Sequence, residues 1–304
     1  MKGSLDAIVL AGEGGAARPI GEGPKALLPL GGKPLLQHVL EALDAVPRVR
    51  RIVVVGARAE LETCLAPLTL AHPVDILEQG ATAYRNFWSA FCHLQRNQAE
   101  DPDRPVLVLA ADTPLITSGE LEEFLDRCDL ERLDYCIGMT EERYLTRYYP
   151  SDTAPGIHMR YLHLADGSLR LNNLHLVKPL RVDNRGYIQD IYEFRYQRDL
   201  VNILRAARDL LRQPGIGWRA LYLYLLLQLA EAGHALGWRG AWNFFRRRVS
   251  RAEVSAIASS VLKTRAGIVE TTIGGTAIDV DNARDYATLQ QRWEEFHRAL
   301  PCRE

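Results

Sequence analysis

Cysteine is scarce in this 304-residue chain: five residues, Cys64, Cys92, Cys128, Cys136 and Cys302, with no CxxC pair. The odd number and wide spacing exclude a disulfide framework and a zinc pattern, and reduced thiols are expected. A surplus of one charge is missing too. Lys plus Arg number 37 against 38 Asp plus Glu, a net charge of −1, so nothing global calls for nucleic acid or an anionic membrane. Long hydrophobic runs are absent. The most apolar stretch, ALYLYLLLQLA at 220–230, is too short to cross a bilayer and runs into Glu231. The first residues lead into LDAIVLA without a cleavage-site pattern, so no signal peptide is expected and a cytoplasmic location is. No internal repeat or low-complexity segment stands out.

What is present is a core-forming composition, 47% hydrophobic and 25% charged, in a chain long enough for one large domain or one domain carrying an insertion. Apolar, β-branched runs at 5–11, 51–57, 74–77, 105–111 and 135–139 alternate with helical patterns such as PLLQHVLEALDAV and SGELEEFLDRC. Near-continuous hydrophobic strands separated by amphipathic helices predict a three-layer α/β/α, Rossmann-like and mostly parallel sheet. Ligands of such sheets bind beyond the carboxyl ends of the strands. Residues 159–177 read as a hairpin turning at Asp166-Gly167. A helical block, 190–262, then interrupts the α/β domain made of 1–189 and 263–304. GGTAIDVDNARDYATLQ is expected to return to a strand, a turn and a final amphipathic helix.

The densest glycine stretch, AGEGGAARPIGEGPKALLPLGGKPLL at 11–36, follows the first strand. It does not match a dinucleotide fingerprint, because Gly12, Gly14 and Gly15 have the wrong spacing and Pro19, Pro24 and Pro29 delay any helix. Nor is it a Walker A loop, because Pro34 follows Gly32-Lys33 where a hydroxyl is needed. Glycines without Cβ do let backbone N–H groups close around a triphosphate. Lys25, set by Pro24, can bring a point charge to an α-phosphate as pyrophosphate leaves.

This stretch resembles the signature of nucleotidyltransferases with the glycosyltransferase-A-like fold, which include the MobA-like group and the sugar-phosphate nucleotidyltransferases. Leu10, Ala11, Gly12, Gly15, Pro24, Lys25, Leu27, Pro29, Gly32, Lys33, Pro34 and Leu35 carry the match. The resemblance implies a nucleotide loop of Leu10, Ala11, Gly12, Gly14 and Gly15, with Lys25 as the catalytic cation. Two positions depart from the pattern: Glu13 replaces a glycine and Ala17 an arginine, so Arg18 is assigned the outer phosphates. It also implies Mg2+ (or Mn2+), held by Asp112 after VLVLA and by Asp281 in AIDVDNARDY, with Asp279 as the alternative on the other face of an expected strand. Gly80 and Asn86 fall where relatives hold the base, and Arg160 and Asn173 near where they hold the acceptor. The histidines of the hairpin region (His158, His163, His175) fit strand faces rather than a metal site.

The implied reaction joins an NTP to a phosphorylated acceptor (sugar, polyol or cofactor phosphate) with loss of pyrophosphate. A glycosyltransferase using Asp279-Val280-Asp281 as a DxD motif, and a degenerate nucleotide-binding or scaffold protein, are the alternatives. For the insertion, the arginine stripe Arg198, Arg205, Arg208 and Arg212 and the cluster Arg246 to Arg248 leave three roles open: acceptor-phosphate contact, a homodimer interface or a peripheral membrane surface.

Overall fold

The computed structural model describes residues 4–12, 20–21, 23–96, 99–185 and 217–300. Its strands are β1 (Leu5–Leu10), β2 (Pro29–Leu30), β3 (Lys33–Pro34), β4 (Val49–Gly56), β5 (Val74–Glu78), β6 (Val106–Ala110), β7 (Tyr135–Glu141), β8 (Leu162–Leu164), β9 (Gly167–Val177) and β10 (Ala266–Thr271). The helices among the described residues are α1 (Leu35–Asp44), α2 (Arg58–Leu65), α3 (Ala83–Gln95), α4 (Ser118–Arg127), α5 (Gly217–Ala235), α6 (Arg239–Arg246), α7 (Arg251–Leu262) and α8 (Ala283–Arg298). The main sheet runs β10-β7-β9-β6-β1-β4-β5, with β8 paired to β9. Neighbours are parallel except β9, which runs antiparallel to β6, β7 and β8. The expected three-layer, mostly parallel architecture is therefore present.

Alternation along the strands separates the two faces. Ala7, Val9, Ile52, Val54, Leu107 and Leu109 pack against α1 and α4. Ile8, Val53, Val55, Val106 and Val108 pack against Ala90, Phe91 and Leu94 of α3. Leu223 and Leu226 of α5 dock instead on Met139, Leu164 and Leu169 at the hairpin, so the described part of the insertion shares a core with β8 and β9. Arg246 donates to the Leu164 carbonyl, and Arg248 stacks on Phe244 and donates to its carbonyl. The stripe from Arg198 to Arg212 lies outside the described residues.

One local expectation is corrected. Residues from Gly274 onward do not form a strand; β10 ends at Thr271, and Gly275–Ala277 is a single 3-10 turn. The cause is Glu120 on α4, whose fully buried carboxylate accepts from Thr271 Oγ1, Gly274 N, Thr276 N and Thr276 Oγ1. Backbone groups bonded to a side chain have left the strand ladder. Gly274 sits at φ 82°, open to glycine at low cost.

At Gly275 a Cβ would stand 1.9 Å from the Leu115 carbonyl oxygen. Gly275→Ala should lower unfolding free energy by roughly 2–3 kcal/mol, as overpacking against backbone does, and a urea titration checks it. A loss under about 0.5 kcal/mol would show that this turn is not fixed.

Candidate active site

Four chain segments meet beyond the carboxyl ends of β1 and β6. Pro24, with φ −63° and ψ 134°, leads into a 3-10 turn, Lys25–Leu27. That turn presents the Lys25 ammonium to the Asp112 carboxylate, with which it forms a hydrogen-bonded ion pair. Asp112 follows β6 by two residues. The closing segment is pinned to it by backbone, Val280 N donating to Asp112 O at 3.0 Å. The fourth segment is β9, whose Arg170 donates from Nε to Ala277 O and from Nη2 to Asp279 Oδ1, both at 2.7 Å.

Asp279 and Asp281, expected on opposite faces of a strand, lie beyond any strand and differ in burial, while both act on Lys25. Asp279 is buried and matched by Arg170, with Asn173 Nδ2 3.5 Å from its second oxygen. Asp281 is exposed. Burial works to lower the pKa of Lys25, but Asp112, Asp281 and Asp279 together hold it above the usual lysine value. Burial pushes the Asp112 carboxyl up; Lys25 opposes this and Asp279 adds to it. Asp285 is raised as well, by burial and by Asp279, while it shares hydrogen bonds with Asn282 at the start of α8. Asp112, Asp279, Asp281 and Asp285 thus face three cations among the described residues, Lys25, Arg170 and Arg284. A triphosphate entering here needs added positive charge.

The donor set fits a hard divalent cation. Among the described residues no three His, Cys, Asp or Glu side chains form a ready-made cage. Magnesium does not require one, since it is commonly held by one or two carboxylates together with substrate phosphates.

A second cluster lies at the other side of the first loop. Gly80 N donates to Asn86 Oδ1 at 2.5 Å. A Cβ on Gly12 would stand 2.7 Å from Asn86 Nδ2 and 2.8 Å from Gln79 Oε1, so the loop approaches both side chains closely at this glycine. Gly12, Gly80 and Asn86 are brought together as expected from sequence. Gln79 was not anticipated; its position just before Gly80 was the available signal. Leu10 and Ala11 hold the loop's base, through Ala111 N to Leu10 O and Ala11 N to Val55 O.

Other expected residues fall elsewhere. Glu13, Gly14, Gly15, Ala17 and Arg18 lie outside the described residues. Arg160 is exposed on the approach to β8. Lys33 is paired with Glu41 at 2.7 Å. Asn172, next to Asn173 on β9, points the opposite way and donates to Thr271 Oγ1 at 2.9 Å, within the network that ends at Glu120. Arg170 was missed, because an arginine on a strand gives no local sign of its distant partner.

A family model described as the MobA-like NTP transferase domain matches residues 7–251. The chain belongs to this family. Among curated relatives, the bifunctional protein GlmU of Desulfotalea psychrophila is 33% identical over 122 residues, 40% of this chain and 34% of that protein. GlmU of Rhizorhabdus wittichii is 34% identical over 106 residues, 34% of this chain and 22% of that protein. The matches therefore span about a third or less of those relatives. A hypothetical transferase from Thermus thermophilus has a similar fold, with TM-score 0.57 and 24% identity, covering 93% of this chain and 99% of that one. So has 4-diphosphocytidyl-2C-methyl-D-erythritol synthase of Anaerococcus prevotii, with TM-score 0.50 and 11% identity, covering 96% and 99%.

In this MobA-like family member the Arg170–Asp279 pair, whose aspartate lies beyond the matched residues, is largely buried, with side chains 15% and 8% exposed. Arg170→Met leaves Asp279 buried without its cation and should cost roughly 3–5 kcal/mol. Adding Asp279→Asn should recover more than about 1 kcal/mol of this. Denaturant unfolding of both variants measures it, and simple additivity would show that the two groups do not act as a pair.

Proposed function

We propose that the protein transfers a nucleotidyl group from an NTP to a phosphorylated small-molecule acceptor, releasing pyrophosphate. The observation that carries this reading is the Lys25 ammonium held on Asp112 within the field of Asp279 and Asp281. Lys25 is stored on a carboxylate and oriented towards the place where the α-phosphate would lie. As the acceptor phosphate oxygen attacks the α-phosphorus in line, the bond to pyrophosphate breaks and that group leaves with the electron pair. Lys25 balances the charge that develops on the α-phosphate. No covalent intermediate with the protein is needed.

Gly12, Gly80, Asn86 and Gln79 would receive the nucleoside. Asp112 and Asp281 would hold magnesium or manganese together with the triphosphate. When bound, the ion supplies charge neutralisation and Lewis acidity. Asp279 is the weaker candidate, because Arg170 already matches its charge. The same pairing argues against use of Asp279-Val280-Asp281 as a glycosyltransferase DxD motif.

Two sets of variants test the proposal. Lys25→Ala should reduce pyrophosphate release at least about 100-fold, near 3 kcal/mol of transition-state stabilisation. Its stability loss should be about 1–2 kcal/mol, less than for a fully buried pair, because Lys25 is 29% exposed. Near-wild-type turnover would overturn the assignment. In a thermal-shift titration with each NTP, Asp112→Asn and Asp281→Asn should each weaken the magnesium-dependent stabilisation, and less than additively when combined. Equal loss from Asp279→Asn with none from Asp281→Asn would reverse the choice of ligand.

A further inference from the structure

A cavity of about 260 Å³ opens between the hairpin region and helix α5 of the insertion. That is slightly below the roughly 300 Å³ at which drug-sized pockets begin, and suits a small polar group rather than a nucleotide. Its walls join residues distant in sequence: Glu142, Tyr149 and Tyr161 on one side, His163 at the base, Glu231 and His234 from α5. The cavity is tied to the carboxylate cluster twice. Arg170 acts electrostatically on Tyr161, and Arg284, three residues after Asp281, lies 3.0 Å from His158 on the cavity wall.

The polar groups here are of one kind. His163 is 2% exposed. Its Nδ1 lies 2.9 Å from Ser168 Oγ, while Nε2 has no hydrogen-bond partner and stands 3.3 Å from Glu231 Oε2. Burial and the neighbouring His234 lower its pKa to about 4, so the ring is neutral near pH 7. Tyr149 donates to Glu142 Oε1 at 2.9 Å, and its oxygen lies 2.8 Å from the Tyr161 hydroxyl. Burial pushes the Tyr161 phenol up to about 12, keeping it protonated. A neutral imidazole, a phenol and two carboxylates can all pair with a hydroxyl, which both donates and accepts. A phosphate would meet Glu142 and Glu231 instead. An ammonium finds no surplus of negative charge, because Arg170 acts on Tyr161, Arg246 on His163, and Arg284 lies against His158, three cations along the same walls as the two carboxylates.

We infer that this cavity binds the hydroxyl-bearing end of the acceptor, that the acceptor is a polyol or sugar phosphate, and that Glu231 and His234 of the inserted helix determine its specificity. The inference rests on the nucleotidyl-transfer reading. With the hydroxyl end in the cavity, the phosphate stays on the Lys25 side, where it must react. The insertion thereby acts on acceptor choice and leaves the nucleotide site untouched.

The test is calorimetric binding to the full chain, saturated with magnesium and the non-hydrolysable NTP analogue that stabilises it most. The probes are ribitol 5-phosphate, glucose 1-phosphate, choline phosphate and ethyl phosphate. At least one hydroxylated probe should bind tenfold or more tightly than ethyl phosphate. Glu231→Gln and His234→Ala, both at partly or fully exposed side chains, should erase that advantage without changing analogue affinity. Equal or no binding of all four probes, preference for choline phosphate, or undiminished discrimination in both variants overturns the inference while nucleotide binding preserves the transfer reading. Failure of every NTP analogue to bind overturns the transfer reading, and the inference with it.

Discussion

The buried carboxylate of Glu120 links parts of the chain that have no local reason to meet. It sits on the first turn of α4, just after the loop that carries Asp112, and it accepts from Thr271, Gly274 and Thr276 about 150 residues later. An unpaired carboxylate in this position would be strongly unfavourable, so its donors must be in place when the domain is folded. Burial raises its pKa and the four hydrogen bonds work in the opposite direction. Thr140 and Asn172 extend the network across β7 and β9. The turn it fixes delivers Asp279 and Asp281 to Lys25 and Asp112.

Strand β9 explains the rest of the site's placement. It enters an otherwise parallel sheet in the reverse direction, between β6 and β7, so Arg170 and Asn173 come up beside the carboxyl end of β6. Residues 172 and 173 then divide the work by alternation: Asn172 joins the Glu120 network and Asn173 turns to the carboxylates. The same hairpin carries His163 on its other arm, against which α5 packs. The groups proposed to face the nucleotide come from the α/β domain, while the proposed acceptor cavity is shared with the insertion. On that proposal, acceptor preference can change without rebuilding the triphosphate site.

Much of the fold was legible because its signals are local. Strands β1, β4, β5, β6 and β7, helices α1 to α4 and the Asp166-Gly167 hairpin follow from period and turn chemistry within a few residues. The strand expected from Gly274 failed for the opposite reason. Its alternating apolar residues suggested pairing, but the backbone donors of Gly274 and Thr276 are taken by a side chain on a helix far away in sequence. Local pattern has no means of registering such a competitor.

By itself the sequence determined the α/β layering, the glycine–proline–lysine loop after the first strand and the kinds of charge available for phosphate chemistry. These depend on residue type and short-range spacing. Tertiary structure decided which charges meet. It put Lys25 on Asp112, matched Asp279 with Arg170 so that Asp281 remains the exposed carboxylate, added Gln79 to Gly12 and Asn86, and enclosed His163 with Glu231 from the insertion. The charged pairings lie between segments far apart in the chain, and they depend on burial, which weakens the solvent screening of charge and makes the choice of partner energetically decisive.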